Sequence, residues 1–486
     1  MKNKFLILGF LLVFLAACSD LTDLNIDKKN PTVVSGESLF TSAQKNLVDQ
    51  LASTNVNFSA LRFFMQWWTE TTYTEEANYD ITTRNAPQQH WDELFRRSLA
   101  NMKEGSRVIS EGITFTPEEE IVKNNKLAII DIHMVLAYSN LVETFGNVPY
   151  SQALNIENLT PVYDDGLTVY KDLISRLNAD IAALDPGQGS FTEDQDNIYQ
   201  GDVSKWIKFA NTLRLRMGMT LADLPGEAAT AKAAIESSAA GAILDNADNA
   251  TIDYLSAIPN TNPLYADQVA SNRQDYIAVD TFVNKLLELH DPRIHAFFAD
   301  NLDDPNTPEI EYKGAEYAQG ATYASFSHVN DDMRLPNAPG TIGSAAETEL
   351  LLAEAVERGY SVGGTAEEHY NNAVRNSIKE WGGTDADADA YLAQPGVAYG
   401  TAAATWQEKI GLQAWFIYYN RGNEAWTTLR RLDYPELEVP ASAFSGFPVR
   451  YTYPVNEQTV NPDGYDQAAA AIGGDDVETR LFWDVK

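Results

Sequence analysis

Helix start and stop signals recur along this chain, and they constrain its fold more than any bulk property does. Thr116-Pro117-Glu118-Glu119 is a capping signal with proline at the first helical position, opening the long segment Ile121 to Phe145, which stops at Gly146. Tyr170, Leu173, Ile174, Leu177, Ile181 and Leu184 fall at helical spacing before Pro186-Gly187, and an apolar-rich helix from Trp206 to Leu221 ends before Pro225-Gly226. Three capping boxes follow, Ser344-Ala-Ala-Glu347, Thr365-Ala-Glu-Glu368 and Thr405-Trp-Gln-Glu408, the first with Gly359 as its C-terminal stop. The pattern predicts an all-α chain of antiparallel helix pairs, stacked as tetratricopeptide units are, each burying its apolar stripe on the next. No fixed repeat period is visible, so the pairs are diverged and interrupted.

The interruptions are long. Residues 66–90, 245–276, 300–343 and 432–480 are rich in Asn, Asp, Pro, Gly and Tyr. Loops of this length in a compact body carry function or small embedded elements, so a site is expected there.

The N-terminus has Lys2 and Lys4, the apolar run Phe5 to Leu15, and then Leu15-Ala-Ala-Cys18: a signal peptide, with a run too short to span a bilayer. Cys18 is the chain's single cysteine, so no disulfide framework or cysteine metal site exists. Its place at the cleavage point resembles a lipobox, which predicts residues 1–17 as the signal peptide, Cys18 as the lipidated residue, 18–30 as a polar tether and 31–486 as one helical body. Acylation would anchor the mature chain to a membrane, as in an exported lipoprotein of a Gram-negative-type envelope.

Composition excludes several classes. With 35 basic and 69 acidic residues the net charge is −34, which opposes binding to nucleic acid and favours neutral over polyanionic ligands. The sequence contains no Gly-x-Ser-x-Gly, His-Glu-x-x-His, phosphate-binding or dinucleotide motif. Its six histidines lack metal-ligand spacing, and His133 reads as a core residue. Asp385-Ala-Asp-Ala-Asp389 starts like a calcium loop, but Ala390 and Gly396 stand where glycine and glutamate belong, so it reads as a solvated acidic loop. No catalytic residue and no cofactor is called for. A structural calcium ion is compatible with the sequence, though no ligand set for it is legible.

The C-terminal third carries Glu349-Leu-Leu-Leu-Ala-Glu354 through Gly359, Tyr370, Ser377, Trp381, Gln413, Arg421-Gly-Asn-Glu424-Ala-Trp426, Arg430-Arg431, Arg450-Tyr-Thr-Tyr453-Pro454, Glu457, Asn461, Gly473-Gly-Asp475 and Trp483-Asp484. Upstream stand Trp206-Ile-Lys208-Phe-Ala-Asn211 with Arg214 and Arg216, Asn262-Pro-Leu-Tyr265, and Asp291-Pro-Arg293. In this order the motifs resemble those of SusD/RagB-type nutrient-binding outer-membrane lipoproteins, and Gln66-Trp67-Trp68-Thr69-Glu70 with Tyr73, Glu76 and Tyr79 is similar to the SusD-like branch. The resemblance implies a tetratricopeptide-like superhelix whose irregular insertions carry the ligand face. It also implies a partner, a SusC-like TonB-dependent transporter, over which the protein sits as a hinged lid at the cell surface. Asp20 and Asp23 resemble a surface-export signal. The implied role is capture of a glycan, with a neutral glucan such as a β-glucan favoured by the charge; a peptide or another nutrient is the alternative. Trp381, Trp426 and Trp483 are expected to pack.

Sugars present C–H faces and hydroxyl edges, so their sites combine exposed aromatic planes with charged or amide groups. On that ground the ligand candidates are Trp67, Trp68, Tyr73, Tyr79, Asp80 and Arg84 in a first zone. Tyr265 and Tyr276, with Asn272 and Arg273, form a second, and Tyr323, with Tyr312, Phe326 and His328, a third. If Trp67 and Trp68 lie on a helix they point about 100° apart, so at most one of them faces solvent.

Overall fold

Each helix start read from the sequence has a helix behind it. The computed structural model describes residues 34–302 and 312–486, so the signal peptide, Cys18 and the tether lie outside the described residues. In chain order the longer helices are α1 (Gly36–Ala52), α2 (Ala100–Ser110), α3 (Pro117–Phe145), α4 (Gly166–Ala183), α5 (Val203–Thr220) and α6 (Ala228–Ser238). They continue as α7 (Asp280–Glu288), α8 (Ala345–Glu357), α9 (Ala366–Glu380), α10 (Asp385–Leu392), α11 (Trp406–Ile417), α12 (Gly422–Leu432) and α13 (Pro462–Ala471). They pack as pairs, α1 with α2, α3 with α4, α5 with α6, α8 with α9 and α11 with α12. Successive pairs join through α4–α5, α5–α8 and α8–α11, and α12 returns to touch α1. This is the expected tetratricopeptide-like superhelix, and three two-stranded antiparallel ladders sit in its insertions.

The caps show why these segments are helices. Thr116, Thr365 and Thr405 each accept a hydrogen bond from the backbone N–H three residues on, and Thr365 and Thr405 are closed into full boxes by Glu368 and Glu408. The expected box at Ser344 is only half formed. Ser344 Oγ accepts from Glu347 N–H at 3.2 Å, but the Glu347 carboxylate turns inward to Arg216 and Arg421, each at 2.6 Å. The acidic run at 385–389 is not a loop. Thr384 and Asp387 form a capping box that starts α10, and Arg375 bridges Asp385 at 3.2 Å and Asp389 at 2.5 Å. The aspartates are solvent-exposed as the sequence reading has them, but they start a helix, where the N-terminus and Arg375 offset part of their charge.

Helices α1 and α2 approach closely, and a Cβ on Gly36 would stand 2.6 Å from the Gly105 carbonyl oxygen. At 29 residues α3 is long and apolar enough to cross a bilayer, yet it is the mast of the body, with Ile129, His133, Leu136 and Leu141 all buried. His133 is a core histidine, lying edge to face with Phe40 at 5.0 Å and held neutral by burial.

The motif residues of the C-terminal third are largely structural. Arg293, fully buried, pairs with Asp291 at 2.6 Å and donates to Ser377 Oγ at 2.9 Å and Gln413 Oε1 at 3.1 Å, which fastens the end of α7 to α9 and α11. The Arg430 guanidinium lies 3.6 Å from the Trp426 ring centroid and 4.5 Å from that of Trp483, and Arg450 pairs with Asp475 at 2.7 Å. Trp426 and Trp483 are buried, and the half-buried Trp381 lies edge to face with Phe297 at 5.0 Å, so all three pack, as expected.

Candidate functional site

The three candidate zones, far apart in sequence, meet on one small ladder. Strand Trp68–Glu70 runs antiparallel to Tyr276–Ala278, with Trp68 opposite Ala278 and Glu70 opposite Tyr276. Thr71 N–H extends it by donating to Asp275 O at 2.8 Å. The third zone attaches to the same strands: Ile277 bridges His328, Val279 bridges Ala315, and Ala278 N–H donates to Ser327 O at 2.9 Å. Ala318 N–H donates to Thr69 Oγ1 at 3.0 Å, and Ala321 N–H to Thr71 O at 3.0 Å. The satisfied backbone groups make a rigid shelf out of segments that are loops in the sequence.

The tryptophans anchor this shelf and do not line it. The short helix Leu61–Phe64 ends before Gln66, which takes a left-handed conformation with φ +52°, so Trp67 and Trp68 lie beyond the helix and are both 0% exposed. Trp67 Nε1 donates to Trp415 O at 3.1 Å and Trp68 Nε1 to the Tyr419 hydroxyl at 2.8 Å, fixing the ladder to α11 and to the turn after it. Trp68 also stacks on Tyr276, with centroids 5.9 Å apart at 16°. The ligand-facing expectation for Trp67, Trp68 and Tyr276 is thereby corrected: large apolar rings with a buried hydrogen-bond acceptor for each polar tip gain more from the core than from solvent.

Tyr79 is buried against Phe64, and burial pushes its phenol up to about 12. Asp80 is a turn-former, its Oδ1 accepting from the backbone N–H of Thr82 at 2.9 Å and of Thr83 at 3.0 Å. Burial works to raise Asp80, but these bonds and those from the threonine hydroxyls hold it below its ordinary value. Arg84 is drawn to Glu76 at 3.2 Å and Glu75 at 3.5 Å. Tyr79, Asp80 and Arg84 therefore shape the 71–85 loop and do not present themselves on it. Beneath the loop lies a carboxyl pair that the sequence did not single out. Glu70 is pushed up to about 9, first by burial and then by the neighbouring Glu76, and burial raises Glu76 as well against the pull of Arg84, so the pair holds a proton between them at neutral pH. Both side chains are enclosed, Glu70 3% and Glu76 0% exposed, so no glycosidic bond can reach between them.

The candidates that reach solvent are different ones. Tyr73 stands at the loop tip, 71% exposed, with φ +58°. Tyr323 is half-buried and stacks on His328 with centroids 3.7 Å apart at 17°, a preformed flat surface. Burial lowers the imidazole, so this stack is uncharged at neutral pH. Charged groups ring it: Arg334 pairs with Asp331 at 3.2 Å, and Arg273 pairs with Asp275. Arg334 and Asp331 were not singled out from the sequence, since their place beside Tyr323 depends on the ladder. Tyr265 is half-buried in the π-turn Tyr265–Val269, on the flank of the shelf. Phe326 is half-buried with Lys313 Nζ 5.3 Å from its centroid, and Tyr312 is buried beside His295. Among the described residues no group of three or more His, Cys, Asp or Glu is placed to hold a metal ion.

A family model described as starch-binding and associating with the outer membrane matches residues 28–454. No curated protein sequence matches the chain. Among solved structures, a chitin-binding protein superposes with a TM-score of 0.79 at 25% identity, covering 93% of this chain and 100% of that one. A chitin-binding SusD homologue from Flavobacterium johnsoniae gives 0.77 at 24%, covering 92% and 99%. A SusD homologue from Bacteroides uniformis gives 0.75 at 25%, covering 92% and 99%.

Proposed function

The chain belongs to the SusD-like family of starch-binding proteins that associate with the outer membrane, and from that premise we propose that it captures an oligosaccharide on the shelf carrying Tyr73 and the Tyr323–His328 stack. Proteins of this family bind carbohydrate and are not catalysts. One observation carries the site: three loop segments are hydrogen-bonded into one ladder, and of the nine candidates Tyr73 is the exposed one, on the loop whose Thr71 O accepts from Ala321 N–H in the segment that carries Tyr323. Flat uncharged aromatic surface takes the C–H face of a pyranose, and Arg273, Asp275, Arg334 and Asp331 offer charged hydrogen-bond partners to its hydroxyls.

With a net charge of −34, a neutral glycan such as a β-glucan is the ligand of choice over a sulfated or uronate chain. Lipidation at Cys18 would hold the body at the cell exterior, and a SusC-like TonB-dependent transporter would receive the captured glycan. Isothermal titration of the full chain in detergent against neutral and anionic polysaccharides tests the reading. One neutral glycan should bind, and Tyr323→Ala and Tyr73→Ala should each weaken it by about tenfold, the loss of one stacked ring. Undiminished binding in both variants would remove the shelf as the site.

A further inference from the structure

A second opening lies apart from the exposed rings of the shelf, a groove of about 420 Å³ between the end of α1, the π-turned segment Glu93–Leu99 and the loop leading to Asp267. One wall is apolar, from Phe58, Pro259 and Ile258, the last 65% exposed. The rest presents hydrogen-bond acceptors. Three carboxylates line it: Asp49, paired with Lys45 at 2.5 Å; Glu93, paired with Arg97 at 3.1 Å; and Asp267. Asp267 alone of the three forms no ion pair among the described residues; it accepts from Asn55 Nδ2 at 2.9 Å, Gln268 Nε2 at 2.9 Å and the Tyr276 hydroxyl at 3.1 Å, with Thr54 Oγ1 at 3.4 Å, whereas Asp49 accepts from the Tyr254 hydroxyl at 2.8 Å beside its lysine. Asp49 and Glu93 thus each have a cation in contact, whereas Asp267 has Arg62 and Arg273 near enough to act on it but neither within ion-pair distance. Burial pushes all three carboxyls above their ordinary values, the sign of charge not fully compensated from within.

Gln50 is the independent observation. It lines the groove, is 3% exposed, and its Oε1 has no hydrogen-bond partner. Its orientation is forced. Nε2 donates to Phe58 O at 3.1 Å, which only the nitrogen can do, and its second hydrogen meets His90 Nδ1 at 2.7 Å. His90 is neutral because burial lowers it to about 4, and it carries its proton on Nε2, which faces Asn140 Oδ1 at 2.7 Å. With both amide hydrogens committed, a buried carbonyl oxygen is left for a donor that the protein does not supply.

We propose that this groove is a second ligand site that takes a primary ammonium group, with Asp267 as its counter-ion, Gln50 Oε1 as its neutral acceptor, and Ile258 and Pro259 covering the carbon skeleton that carries the amine. An ammonium has three donors and no acceptor, matching a site of acceptors in excess. An amino sugar and a lysyl side chain both present this group, and the test separates them. The site lies apart from Tyr73 and the Tyr323–His328 stack, although the Tyr276 hydroxyl that serves Asp267 belongs to the ladder beneath them.

The full chain in detergent is titrated with a glucosamine trimer, with its fully N-acetylated counterpart and with trilysine. At least one amine probe should bind, more weakly as salt rises, and the acetylated trimer should bind at least about tenfold more weakly, since acetylation removes the charge. The tighter of the two amine probes assigns the source. Asp267→Asn should weaken the amine by about tenfold, and Ile258→Arg, at an exposed position that leaves the core untouched, should abolish binding. Failure of both amine probes to bind folded protein, equal binding of the acetylated trimer, or undiminished binding in Ile258→Arg overturns the proposal.

Discussion

Glu70 shows at the scale of one residue how burial sets a charge state. A carboxyl held near 9 in the folded chain and near its ordinary value when unfolded binds its proton more tightly in the native state, so stability falls as pH rises between those two values and levels off above the higher. Because Glu70 and Glu76 share the site, the titration belongs to the pair. Glu70→Gln keeps an acceptor for Ala77 N–H, 3.2 Å away, and removes the titration. Its melting temperature should exceed the wild type's by an amount that grows from pH 5 to about 9, read by thermal denaturation across pH; a constant difference would place the proton elsewhere. The two tryptophans teach a related lesson. Trp68→Ala should cost about 3–5 kcal/mol, a core truncation, so any loss of ligand in that variant reports unfolding and not a lost contact.

At the scale of the element, two identical-looking signals have different contents. Ser344-x-x-Glu347 and Thr365-x-x-Glu368 both start helices, but Glu368 caps α9 at the surface while Glu347 is buried between Arg216 and Arg421. Burial works to raise the Glu347 carboxyl, and the two guanidiniums prevail and hold it low. Glu368→Ala should cost under about 1 kcal/mol, as a cap does, and Glu347→Ala up to about 3–5 kcal/mol, because Arg216 and Arg421 lose their nearest counter-ion and are left with Glu424 alone, at 3.6 and 3.3 Å. Urea denaturation of the two variants checks the contrast. Similar costs would show that Glu347 acts only as a cap. The helix α10 makes the converse point: three aspartates at its start are a cap and an ion-pair partner for Arg375, on a stretch whose composition reads as loop.

At the scale of the whole molecule, one buried node joins the α7 region to the C-terminal pairs. Arg293 reaches Asp291, Ser377 and Gln413, residues more than 80 positions apart at the extremes, with no exposure to water. Arg293→Ala would leave Asp291 buried and unpaired, and a loss of about 3–5 kcal/mol should appear as a lowered midpoint in denaturant. Arg293→Met with Asp291→Leu should recover part of it; failure to recover any would show that the hydrogen bonds to Ser377 and Gln413, not the charge pair, hold the node. The shelf is assembled at this scale too, since α11 and the turn that follows it supply the acceptors on which both shelf tryptophans rest.

What the sequence determined by itself is local. Caps, glycine stops and apolar spacing specify α3, α4, α5, α9 and α11, because each depends on residues within a turn or two of one another. The four irregular stretches were equally legible, and with them the region of the shelf. Tertiary structure decided which side chains that region shows to solvent. Trp67, Trp68, Tyr73 and Tyr79 are alike in composition and spacing, yet Tyr73 alone is exposed, because Gln66 breaks the helix and the strand that follows finds its partners at Tyr276–Ala278 and Ala318. The bond from Ala318 to Thr69 closes over 249 positions. Exposure and charge pairing across such distances are properties of the packed chain, so the same aromatic that reads as a binding plane in the sequence is a pillar in the fold.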